Sequence, residues 1–133
     1  MSRHCCAPVN AEPMESIRAL LIIALIINAS MFVIEMVAGQ MGDSMSLRAD
    51  ALDFFSDAAN YAISLTLLSS TLAARARATL VKAAAMGAIG ISVLYGAAAR
   101  AIEGSDPQPL VMGSIAVVAL LANLAVATMM FRF

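Results

Sequence analysis

The sequence predicts an all-α fold: a transmembrane bundle of four spanning helices with both termini on the cytoplasmic side. Three observations predict it. Of 133 residues, 62% are hydrophobic and only 13% charged, and a mean hydropathy of +0.88 is too apolar for a water-soluble domain of this length. Polar turn segments divide the chain into four apolar runs, each near the roughly 20 residues that a spanning helix needs. The basic residues are also lopsided. With four spans, Arg3, Arg18, Arg75, Arg77, Lys82 and Arg132 fall on one side and only Arg48 and Arg100 on the other, so the positive-inside bias puts both ends in the cytoplasm.

Residues 1–15 carry His4, Cys5, Cys6, two prolines and two glutamates without apolar periodicity, so they read as a mobile cytoplasmic tail ahead of one transmembrane domain, 16–133. The His-Cys-Cys cluster is a candidate for transient capture of a soft metal, although ligands adjacent in sequence rarely close a tetrahedral site unaided. The alternative is a plain disordered tail. The two cysteines are the only ones and are adjacent, so no disulfide framework can be drawn. The first helix is expected over 17–39, too long an apolar run for a signal core of about 7 to 15 residues. It contains Asn28 and Glu35, seven apart and therefore on one face. Asn28 reads as a helix-to-helix hydrogen-bonding residue. Glu35 is either wet near the outer interface or a functional intramembrane acid.

A turn is expected over 40–47 and a second helix over 49–72. A basic loop follows over 73–82, and a third helix over 79–102 is rich in Ala, with Gly87, Gly90 and Gly96 allowing close approach of neighbouring backbones. Glu103-Gly-Ser-Asp-Pro-Gln-Pro109 is a turn, with Pro109 suited to the first position of the next helix. The fourth helix, 110–131, has a small-residue face of Gly113, Ala116, Ala119, Asn123 and Ala127, expected to serve packing.

The second helix carries the chemistry. Asp50, Asp53, Asp57, Asn60, Tyr61 and Ser64 recur at offsets of one, three or four and share one face. An Asp near the bilayer centre costs about 2.5 to 3.5 kcal/mol on insertion scales, so these acids need compensation. Asp50 sits at the helix start, where a carboxylate suits the macrodipole and Arg48 is near in sequence. Asp53 and Asp57 lie deeper and are one turn apart, close enough for both carboxylates to reach one cation. Two ionised carboxylates at that spacing repel, so the pair holds a proton until a divalent cation displaces it. Metal uptake and proton release are then linked in one site.

The pattern Asn28-x-x-x-Phe32-x-x-Glu35-x-x-x-Gly39, then Ser44, then Leu47-Arg-Ala-Asp50-Ala-Leu-Asp53-x-x-x-Asp57 resembles the first two helices of the cation diffusion facilitator transporters. The fourth helix with Asn123 is also similar. The resemblance implies that Asp53 and Asp57 supply two ligands of a transmembrane zinc or cadmium site. The residues themselves add Asp50, Glu35 and Asn28 as further candidates, and His4, Cys5 and Cys6 in the tail. Family members usually have six spanning helices, with two further ligands on the fifth, and many carry a cytoplasmic metal-binding domain. Two carboxylates are half a tetrahedral site. Either a second copy contributes the rest, or Glu35 and water do, or the chain is a truncated, transport-inactive form.

The resulting expectation is not an enzyme but a proton-coupled antiporter exporting a divalent metal ion, zinc or cadmium, as its substrate. It needs no organic cofactor and acts as a homo-oligomer, expected to be a dimer, in a bacterial inner membrane. Its partners are metal ions, protons and membrane lipid. Nucleic acid is excluded by a net charge of -1 with scattered basic residues. The alternatives are a small multidrug-resistance-like proton antiporter centred on Glu35, or an assembly partner without transport.

Overall fold

The computed structural model describes residues 14–132, and the proposed tail ligands His4, Cys5 and Cys6 lie outside them. The described chain is helical throughout, with α1 (Met14–Met41), α2 (Met45–Thr66), α3 (Leu72–Glu103) and α4 (Pro109–Phe131). Of these, α1, α3 and α4 are long and apolar enough to cross a membrane. The 22 residues of α2 have the length, but Arg48, Asp50, Asp53 and Asp57 interrupt its apolar character.

Helix boundaries follow local capping. Asp43 turns the chain at φ 45°, a left-handed conformation that Asp tolerates better than most side chains. There the Gly42 and Ser44 N–H groups donate to the Ala38 and Gly39 carbonyls at 2.8 and 3.0 Å, closing the end of α1. Ser44 caps α2 by accepting the Leu47 N–H at 3.2 Å. The expected limits 49–72 and 79–102 shift at the next junction. Helix α2 stops at Thr66, and Thr71 caps α3 by accepting the Ala74 N–H at 3.3 Å. The basic segment 73–82, expected as a loop, is therefore the first three turns of α3. Arg75 stabilises this junction by donating to the Leu67 and Leu68 carbonyls just past the end of α2, at 3.2 and 2.7 Å.

Helices α1 and α2 pack most extensively, α4 lies on α1, and α3 runs along α2. The buried stripe of α2, Leu47, Ala51, Phe54 and Ala58, has helical spacing, as does Leu20, Ala24, Asn28, Met31, Glu35 and Ala38 on α1. Ala24 and Ala51 are wholly buried, and such small side chains let backbones approach where lipid supplies no hydrophobic drive. Met31, Phe54 and Ala119 form the core, with Phe32 and Ala122 against it. Helix α3 buries none of its residues. The inner face of α4 is Ala119 and Val126, and Asn123, expected on that face, is exposed.

Gly39 sits where α1 and α2 come closest at this end. A Cβ there would lie 2.9 Å from Arg48 Cγ and 3.1 Å from the Arg48 backbone nitrogen. Gly39→Val is expected to cost about 1 to 3 kcal/mol by overpacking, read as a lower melting temperature in detergent. Gly39→Ala should cost less than Gly39→Val because only one methyl must be fitted, but it is not free, since the Arg48 backbone nitrogen and Leu47 Cβ stand in its way.

At the same end Asp43 forms an ion pair with Arg100 and accepts the Asp106 N–H at 3.3 Å. The Gln108 N–H donates to the Gly42 carbonyl at 3.1 Å. These bonds tie the α3–α4 turn to the α1–α2 turn. The Arg100 guanidinium, with the Asp106 N–H, holds the Asp43 carboxyl below its usual value of 3.8. A depressed carboxyl stabilises the fold above its unfolded value, and that contribution is lost as pH falls through the folded one. The protection factor of the Asp106 amide, with intrinsic exchange divided out, should therefore hold as pH falls through the usual Asp range and drop only below it. In Asp43→Ala, which leaves no acceptor, it should be absent at every pH.

Candidate cation site

Helix periodicity brings Asp50, Asp53, Asp57, Asn60 and Ser64 to one side of α2, next to the stripe that packs on α1. Asp53 is exposed, whereas Asp50 and Asp57 are half-buried. Asp50 and Asp53 line a cleft of about 650 Å³ that α4 completes with Met112, Gly113 and Ala116. A second cleft, of about 220 Å³, opens between α2 and α3 and starts at Asn60, three residues beyond Asp57. Asp57 thus stands between the ends of two clefts, one toward the Asp43–Arg100 end of the bundle and one toward the α2–α3 turn.

None of the three aspartates has an ion-pair partner within 4.0 Å among the described residues, where the one pair is Arg100 with Asp43. Arg48 does not neutralise Asp50, as its sequence proximity suggests. Its guanidinium instead donates to the Gly39 carbonyl at 3.4 Å and to Gln40 Oε1 at 2.9 Å, drawn to the carbonyl end of α1. Lys82, on α3, is the cation whose charge bears on Asp57. Sequence reasoning did not place it near Asp57, because the pairing depends on how α3 docks on α2: Ser56 on α2 meets Met86 on α3, so four residues on along α2 and four back along the antiparallel α3, Asn60 comes opposite Lys82.

Glu35 is fully buried, and neither carboxylate oxygen has a hydrogen-bond partner among the described residues. The Asp50 carboxyl lies within hydrogen-bonding reach of it, so a proton held by either acid can bridge the two, and Asp53 is the other acid that bears on it. Helix spacing placed Asn28 on the same face, where it is also buried. Its side chain does not bridge helices as expected. Nδ2 donates to the Ala24 carbonyl of its own helix at 2.8 Å, and Oδ1 is unpartnered. A buried polar group without a partner costs about 1 to 3 kcal/mol, and a charged one more, so this face of α1 carries a penalty that packing does not explain.

The carboxylates Glu35, Asp50, Asp53 and Asp57 line a polar seam rather than a closed cage. Among the described residues no three His, Cys, Asp or Glu side chains converge closely enough to hold a metal ion. What the arrangement offers is a carboxylate pair one turn apart on α2, with Asp53 reached from the α2–α4 cleft and a buried acid behind the pair on α1. Compared with known proteins, the chain matches no family model, no curated protein and no solved structure.

Proposed function

We propose that the chain exchanges a divalent cation, zinc or cadmium, for protons across a membrane, as a member of the cation diffusion facilitator family, with Asp53 and Asp57 as ligands and proton acceptors. One observation carries this reading: the two aspartates sit a helical turn apart on α2 without an ion-pair partner among the described residues, and Asp53 lines the cleft between α2 and α4. In this reading α2 is the fourth span and both termini are cytoplasmic. A cation entering between the carboxylates displaces the proton they hold, and the proton leaves as the counter-ion of transport.

Two carboxylates leave a divalent cation short of ligands. A second copy of the chain supplies the remainder. What supports this is α3, which buries no residue and has open space beside Gly87 and Gly90, a surface on which another helix can approach closely. Oxygen ligands alone discriminate poorly among divalent metals, so preference for zinc or cadmium rests on those additional ligands.

A second reading has an observation in its favour. The buried, unpartnered Glu35 is the arrangement expected of a proton antiporter for organic cations, with a single essential membrane acid. Tolerance assays in cells separate the two. Asp57→Asn is expected to abolish metal tolerance and leave organic-cation tolerance unaffected. If Glu35→Gln abolishes resistance to organic cations while Asp57→Asn leaves metal tolerance intact, the second reading replaces the first.

A further inference from the structure

The cleft between α2 and α3 is built differently from the acidic seam. Arg75, Thr79 and Lys82 follow one another at offsets of four and three on one face of α3, and Asn60 and Ser64 face them from α2. Among the described residues no acid lines this cleft, and Asp57 lies one turn before its Asn60 end. Two cations therefore share a cavity of about 220 Å³ with two hydroxyls and an amide. Arg75 spends its Nε and one Nη2 hydrogen on the Leu67 and Leu68 carbonyls, leaving three of its five N–H donors. Lys82 has no ion-pair partner within 4.0 Å among the described residues.

We propose that this cleft binds the phosphate-bearing headgroup of an anionic phospholipid. Three features favour a lipid over a soluble anion. First, the other half of the lining is apolar, with Ile63, Leu67 and Leu68 among its residues, a wall that suits a glycerol backbone and the first acyl carbons and offers nothing to free phosphate. Second, the depth is right. The 32 residues of α3 extend about 48 Å, against a hydrocarbon core of about 30 Å, so its first turns, with Arg75, lie at headgroup level. Third, helical side chains lean toward the helix N-terminus. The Lys82 ammonium therefore snorkels toward the same level, while its stem covers the apolar wall. A basic pocket between spanning helices at the interface is the geometry that recognises an anionic headgroup. The site shares no lining residue with Asp53 or Asp57, although the Lys82 charge bears on Asp57, and lipid binding is read without any transport activity.

The test is the association of spin-labelled phosphatidylglycerol and spin-labelled phosphatidylcholine with the purified chain in phosphatidylcholine vesicles, measured by electron paramagnetic resonance. The wild-type chain should prefer phosphatidylglycerol. Lys82→Gln should lower that preference about five-fold, and Lys82→Arg should retain it. Arg77→Gln, a basic residue at similar depth that does not line the cleft, should change it by less than about two-fold. Arg75→Gln is the less clean variant, since Arg75 also caps α2. Equal losses in Lys82→Gln and Arg77→Gln would reduce the effect to diffuse charge attraction and overturn the site, as would a wild-type chain without preference. Abolition of the preference by millimolar inorganic phosphate at constant ionic strength would show that a soluble anion occupies the cleft, and would overturn a lipid site.

Discussion

Asp57→Asn is expected to weaken zinc or cadmium binding by about two orders of magnitude or more, because even outer partners of metal ligands are worth 10- to 100-fold. The measurement is isothermal titration of the purified chain in detergent. Asp53→Asn should have an effect of the same order, and the double variant little more than either single one, since two ligands of one ion act as a unit and their losses do not add. Asp50→Asn should change affinity much less if Asp50 lies at the rim of the site. Binding that survives in the double variant would remove Asp53 and Asp57 from the site altogether. The asparagine variants stay folded on this account, because α2 packs through Leu47, Ala51, Phe54 and Ala58 and not through its acids.

Glu35→Leu is expected to stabilise the bundle, by about 1 to 3 kcal/mol, read as a higher melting temperature in detergent. The reasoning is asymmetric desolvation. Both Glu35 oxygens are buried without a donor other than a proton shared with Asp50, and an apolar side chain of similar volume removes that penalty and the repulsion from Asp50 while keeping the packing of α1 on α2. Glu35→Ala is the contrasting case, since it removes the acid but leaves a cavity, and the two effects oppose. A gain in stability from Glu35→Leu together with loss of proton exchange would mark Glu35 as an acid retained for function at the expense of stability. A loss of stability in Glu35→Leu would mean that the carboxyl is satisfied in the folded chain, by a proton shared with Asp50 or by other partners.

Four helices among the described residues, three of them long and apolar enough to cross a membrane, were legible because apolar run length and helical period speak directly to length and faces, whereas the acids of α2 obscure whether it is the expected fourth span. The acidic face of α2 and the shared face of Asn28 and Glu35 both follow from offsets of three, four and seven. The α2–α3 junction was less so, since it contains neither Gly nor Pro. It is set by a Thr71 cap and by Arg75 reaching back to the α2 carbonyls, a bond between elements that periodicity does not encode. Asn123 misled for a related reason. A line of small residues on α4 suggested its inner face, but the core meets Ala119 and Val126, which rotates Asn123 outward. The orphaned oxygens of Glu35 and the approach of Lys82 to Asn60 depend on how helices are docked, information that lies in pairs of segments rather than in either one.

Metal-driven proton release from proteoliposomes containing only this purified chain tests the central claim most directly, with the Asp53→Asn/Asp57→Asn chain as control. Zinc or cadmium is expected to drive protons across the membrane for the wild type and not for the double variant, with a rate that depends on the number of copies per vesicle if a second copy completes the site. Equal silence from both chains, or equal proton movement from both, would contradict cation exchange at Asp53 and Asp57.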